Sequence, residues 1–155
     1  MYDSREDTIE HIVNVQLKLE KFAKELGKRG EVHDKSKLQS PEKELFDEMT
    51  PILKSLTYGS DEYKDSLAKL KPALDHHYAN NSHHPEHYRD GIKGMDLVDL
   101  VEMFCDWMAA TERTANGNIY ISIGINQNRF NIPPELSMIF FNTAKRVYGI
   151  QSVSR

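Results

Sequence analysis

The chain has 155 residues, 39% of them hydrophobic and 28% charged, a balance that suits one globular domain with its own core. A formal charge of −4 excludes a broad basic face for nucleic acid, yet leaves room for a small phosphorylated substrate beside bound cations. A single cysteine, Cys105, excludes an internal disulfide, no apolar run is long enough to cross a bilayer, and the polar, acidic N-terminus does not read as a signal peptide. The expected location is the cytoplasm, or the host cytoplasm if a phage encodes the chain.

Residues 4–27 are predicted to form a first helix, capped by Ser4 or Asp7. Ile9, Ile12, Val13, Leu17, Leu19, Phe22 and Leu26 give it an apolar face with helical spacing, and His11 lies near the edge of that face. Gly27-Lys28-Arg29-Gly30 should end it. His33-Asp34 follows, an imidazole and a carboxylate that can both reach one ion although adjacent side chains project differently. A plain surface turn, with Lys35 and Lys37 beside it, is the alternative. Ser40-Pro41-Glu42-Lys43-Glu44 reads as a helix start, with a cap serine, a proline and acids in the first turn. Pro51 should kink or restart that helix before Ile52, Leu53 and Leu56.

Tyr58-Gly59-Ser60-Asp61 is a turn and a new cap. The helix after it places Leu67, Leu70, Leu74, His77 and Tyr78 on one face, with Pro72 as a local irregularity and His76 rotated about 100° away. Asn80-Asn81-Ser82 stops it. His76, His77, His83, His84 and His87 are five of the seven histidines and fall within twelve residues. That density favours a metal site over chance core packing, an adventitious surface cluster being the alternative.

Arg89 to Gly94 is a polar loop. The most regular helix runs from about residue 96 to 113, with Leu97, Leu100, Val101, Phe104, Met108 and Thr111 as its expected core stripe. Glu102 and Asp106 lie one turn apart on an adjacent face. Asp106 sits among Met103, Phe104, Cys105, Trp107 and Met108, where an ionised acid needs a partner or a cation, unless it is simply a helix-surface acid. Ala115-Asn116-Gly117-Asn118 closes the helix. Residues 119–125 alternate like a strand, but no partner strand is evident, so a short helix is favoured. A last helix starts at Ile132-Pro133-Pro134-Glu135 and carries Leu136, Ile139, Phe140, Thr143 and Val147. Residues 1–150 read as one all-α domain and 151–155 as a loose tail.

These residues resemble the HD-domain superfamily of metal-dependent phosphohydrolases. Its shared pattern is a histidine on an early helix, a His-Asp pair, further histidines in two-metal members, and a late helical aspartate. The matching positions are His11, His33-Asp34, His77 with His83 and His84, and Asp106. His-Asp-Lys-Ser-Lys over residues 33–37 is similar to the His-Asp-x-Gly-Lys signature of the two-metal phosphodiesterase branch, with Lys37 at the lysine position and Ser36 replacing the glycine. The spacing from His77 to His84 is tighter than in that branch, and no Gly-Tyr-Pro follows. The chain also resembles a small HD-like family of phages and bacteria. The likeness lies in its His-His, Asn and His-His-Pro-Glu run, in Glu-Met-x-Cys-Asp-Trp, and in Ser-Ile-x-x-Asn-x-x-Arg-Phe over residues 122–130.

The resemblance implies a compact HD-domain-like bundle of five to seven helices holding one or two divalent transition metals. Manganese, iron or cobalt come first, with zinc, nickel or magnesium as alternatives. It further implies hydrolysis of a phosphate ester by a metal-activated water, with a nucleotide monoester or phosphodiester as substrate. Asp34 would bridge two ions about 3.5–4 Å apart. His11, His33 and Asp106 would hold one, and His77, His83 and His84 the other, unless one of the adjacent pair only supports a ligand. Lys37 would contact a phosphoryl oxygen, or is a solvated surface lysine. Arg89 and Lys93 would form the pocket rim and Glu102 would orient a histidine ring. Two further readings use nearly the same residues: a di-iron HD-type oxygenase acting on a small organic substrate, and a non-catalytic module in which metal fastens helices or a partner surface. A homodimer is compatible with all three.

Overall fold

Helical periodicity governs nearly every segment of the computed structural model, which describes residues 2–56, 60–113 and 117–150. Six α-helices are present among the described residues and no strand: α1 (Arg5–Val32), α2 (Glu42–Ser55), α3 (Asp61–Asn80), α4 (Leu97–Glu112), α5 (Ile119–Phe130) and α6 (Pro134–Tyr148). Short 3-10 turns cover Lys35–Leu38, Pro85–His87 and Gly91–Gly94. Contacts divide the chain into two units, Met1–His33 and Asp34–Arg155. The expected tail, and Tyr58, Gly59, Ala115 and Asn116 of the expected turns, lie outside the described residues. No described helix is long and apolar enough to cross a membrane.

The first unit is α1. It does not stop at Gly27 but continues through Gly30 to Val32. A glycine weakens a helix by about 1 kcal/mol relative to alanine, yet keeps both of its backbone hydrogen-bonding groups, so it does not terminate one outright. Lys28 pairs with Glu25 one turn back at 2.9 Å. No residue of α1 is buried.

In the second unit, α2 and α3 pack around Met49, Leu70 and Ala73, with Leu45, Phe46, Leu53 and Leu74 at the margin. Pro51 does not restart α2, which runs through it. The acceptor that Pro51 cannot serve is the carbonyl of Asp47, and both residues are exposed, so the missing bond falls on the water side. Ser60 caps α3, its Oγ accepting from the Tyr63 N–H at 3.1 Å.

The larger core joins α4, α5 and α6 through Met103, Phe104, Trp107, Met108, Ile119, Ile123, Ile132, Phe140 and Ala144. The α4 stripe differs from the one expected. Leu97 and Val101 are exposed, while Met103 and Trp107 point inward, because buried Asp99 and Glu102 turn a neighbouring face toward polar partners described below. Residues 119–125 are helical. The Asn118 side chain accepts from the N–H groups of Tyr120 and Ile121, Ile119 and Ile123 are buried one turn apart, and Ile121 and Ile125 face outward. On α6, Phe140 is buried as expected, but Ile139 and Val147 are exposed and Ser137 and Ala144 take the inner positions.

Phe104 stacks on Phe140 with ring centroids 5.3 Å apart. Phe104→Ala should cost about 3–5 kcal/mol by leaving a cavity at this contact, read as a lower urea midpoint with an unchanged slope.

Candidate metal centre

Asp34 follows α1 directly and opens the Lys35–Leu38 turn with φ 57° and ψ 10°. This left-handed conformation is uncommon for a side chain other than glycine, and aspartate tolerates it better than most. Its Oδ1 lies 3.2 Å from His77 Nε2 and 3.7 Å from His83 Nε2. His77 Nε2 in turn is 2.9 Å from His84 Nε2. Asp34, His77, His83 and His84 each offer one ligand atom, and the four atoms lie within 4.8 Å of one another. His77 comes from the buried face of α3, where the sequence placed it. His83 and His84 come from the loop that begins where Asn81 ends α3.

What turns these nitrogens inward is a pair of buried carboxylates behind the rings. Glu42, the first residue of α2, is completely buried. Its Oε2 accepts from His77 Nδ1 at 2.9 Å and from Ser36 Oγ at 3.0 Å, and its Oε1 accepts from His76 Nδ1 at 2.7 Å. Glu102 Oε1 lies 3.1 Å from His83 Nδ1. An ionised carboxylate can only accept, so Nδ1 carries the proton in His77 and His83 and Nε2 presents a lone pair. Three imidazole nitrogens and a carboxylate oxygen then face one another with little but acceptors among them. Burial first, then repulsion from His83 and His77, pushes the His84 pKa down to about 3, so its ring stays neutral. A divalent cation fits this donor set: mixed nitrogen and oxygen ligands, with outer carboxylates fixing the tautomers.

The histidine loop is itself anchored. Ser82 Oγ donates to Asp99 Oδ1 at 2.7 Å and the Tyr88 hydroxyl to Oδ2 at 2.5 Å. Asp99 and Asp96 form a capping box at the start of α4, so one buried acid ties the loop to that helix. Arg129 of α5 pairs with Glu86, just after His84, at 2.8 Å, which brings the end of the 122–130 run to the same loop.

The other expected residues are placed as follows. An Asp106 carboxylate oxygen lies within 4.8 Å of a His83 ring nitrogen. Glu102 stands behind His83, the position a ring-orienting residue needs. Lys37 Nζ binds Asp34 Oδ2 at 2.6 Å and sits 5.5 Å from the centroid of the Phe46 ring. Arg89 and Lys93 are exposed. His76 is directed to Glu42, and His87 Nδ1 donates to the Tyr78 carbonyl at 2.8 Å. His11 is exposed on α1, and His33 is the C-cap of that helix and the chain neighbour of Asp34. Sequence reasoning missed Glu42, whose place in a helix first turn already had a sufficient explanation in the helix dipole.

Glu42→Gln should weaken metal binding about 10–100-fold, because an amide no longer dictates which His77 nitrogen holds the proton. Burial raises the Glu42 carboxyl, but the hydrogen bonds from His76, Ser36 and His77 outweigh it and hold the group below its usual 4.5. A depressed carboxyl contributes stability above its unfolded pKa and loses it as the pH falls through the lower folded value. In chelator, the gap in urea midpoint between the native chain and Glu42→Gln should therefore be widest near neutrality and close as the pH falls below the ordinary carboxylate value of 4.5.

No curated protein and no solved structure matches the chain. A family of unknown function, DUF5662, matches residues 1–146, and the chain belongs to that family.

Proposed function

We propose that this chain is a metal-dependent phosphohydrolase that cleaves a phosphate ester, with a nucleotide monoester or phosphodiester as the substrate class. The observation that carries the reading is the convergence of Asp34, His77, His83 and His84, with Glu42 and Glu102 fixing two of the rings. When bound, one or two divalent ions supply an activated water and charge stabilisation at the phosphoryl oxygens.

The chain's own residues do the rest. Asp34 is the carboxylate of the convergent set and supplies its negative charge. Glu42 and Glu102 keep the Nδ1 protons of His77 and His83 away from the centre. Asp106, close to His83, offers a further carboxylate. Lys37 holds a cation beside the Asp34 carboxylate. A fixed ammonium next to a cation site suits a phosphoryl group, whose spread negative charge needs several positive partners.

The test is metal analysis of protein purified without added metal, followed by a screen of nucleotide mono- and diesters with manganese, iron or cobalt supplied. Hydrolysis that chelator stops supports the reading. Oxygen consumption with a small organic substrate, and no ester cleavage, replaces it with the di-iron oxygenase. Metal binding with neither activity makes the chain a metal-stabilised binding module.

A further inference from the structure

A carboxylate that bridges two ions about 3.5–4 Å apart does so, as a rule, by giving one oxygen to each. The two oxygens of Asp34 are not equivalent. Oδ1 faces the histidines, 3.2 Å from His77 Nε2 and 3.7 Å from His83 Nε2. Oδ2 is taken by the Lys37 ammonium at 2.6 Å. The pair is built into the fold. Asp34 opens the Lys35–Leu38 turn, and the Lys37 N–H donates to the Asp34 carbonyl at 2.9 Å, so backbone and side chains close the same loop. The Phe46 ring, its centroid 5.5 Å from Lys37 Nζ, adds a second contact that favours the ammonium there.

The donor atoms are drawn closely together. His77 Nε2 and His84 Nε2 are 2.9 Å apart, and the four donors lie within 4.8 Å of one another. Two donors on one ion can stand no further apart than twice a metal–ligand bond, about 4.4 Å. Donors on opposite flanks of an ion pair lie as much as about 8 Å apart. The observed spread is close to that of one coordination shell. Glu42 and Glu102 hold the Nδ1 atoms of His77 and His83, so each of these rings has one nitrogen to give.

We propose that this centre holds a single ion, and that Lys37 keeps it single by occupying the Asp34 oxygen that a second ion would need. The inference rests on the proposed metal dependence of the site. It turns the expected bridging carboxylate into a one-oxygen ligand. The other positive charge beside Asp34 is then a fixed ammonium and not a second metal. Lys37 keeps this place for as long as no phosphoryl group draws it away.

Manganese alone is the probe, titrated into the metal-free full chain in phosphate-free buffer. Equilibrium dialysis should give one manganese per chain at saturation. Its electron paramagnetic resonance should be that of an isolated ion, without the magnetic coupling of two ions about 3.5–4 Å apart. Lys37→Ala frees Oδ2 and should take up a second, weaker equivalent that shows this coupling. Lys64→Ala removes an equal charge from an exposed pair with Asp61 and should stay at one. Lys37 is partly exposed, so the circular dichroism of each variant should match that of the native chain. Two coupled ions on the native chain, a single ion on Lys37→Ala at every manganese concentration, or a second ion on Lys64→Ala overturns the proposal and leaves the proposed hydrolysis standing. A native chain that binds neither manganese nor cobalt overturns both.

Discussion

Asp34→Ala should strip the purified chain of its metal, whereas His76→Ala and His87→Ala should retain most of it. Asp34 is the one carboxylate among the four convergent residues, and its Oδ1 lies 3.2 Å from His77 Nε2 and 3.7 Å from His83 Nε2. Without it, the four-residue set keeps three imidazoles and no carboxylate of its own. The loss should therefore exceed the 10–100-fold that removing a supporting residue costs. The two control histidines have their Nδ1 atoms committed elsewhere, to Glu42 and to the Tyr78 carbonyl. Elemental analysis of the three variants, backed by calorimetric titration with manganese, decides the matter. Equal metal content in all three would remove Asp34 from the centre.

Lys37→Ala should keep metal and helical content but lower turnover on the ester found in the screen by roughly 10²–10³, the usual cost of one charge contact made in the transition state. In the structure its ammonium is bound to Asp34 Oδ2, on the side of the carboxylate away from the Oδ1 that faces the histidines. If the proposed function holds, a cation held at Oδ1 would weaken the hold of Oδ2 on Lys37, and the four-carbon stem would let the ammonium reach a phosphoryl oxygen. A lysine serving only as a surface ion pair would change stability by no more than about 1 kcal/mol and leave turnover alone. Parallel measurement of kcat and of urea midpoint in Lys37→Ala and Lys37→Arg separates the two roles.

The helices α3, α4 and α6 were legible because each repeats apolar residues at helical spacing, and α3 opens on a recognisable cap at Ser60; α5 alternates like a strand and was reached only because no partner strand is evident. The differences share a cause: a local signal sets a cost and not an outcome. Two glycines did not end α1, and Pro51 did not break α2, since each costs only what its own backbone groups lose. The inward face of α4 was misjudged because Asp99 and Glu102 are buried by partners far off in the chain, and a stripe read from hydrophobicity alone cannot weigh them. The histidine cluster was legible from density, and His77 from its place on an apolar stripe. Glu42 was not, for its partners His76 and His77 lie more than thirty residues away. Nothing in local spacing encodes that pairing.

The second unit holds two hydrophobic cores with no residue in common, one of α2 and α3 and one of α4, α5 and α6. The acid–histidine cluster draws from both sides: His77 and Glu42 belong to the α2–α3 pair, Glu102 and Asp106 to α4. At the cluster the two cores are thus joined through charged and polar groups, and the strength of that joint depends on what neutralises them. In chelator each core should melt on its own, giving two overlapping heat-absorption peaks in scanning calorimetry. Saturating metal, bound only when both halves are folded, should merge them into one sharper and later transition. The centre that would carry out the chemistry would then also decide whether the protein unfolds as one cooperative body or as two.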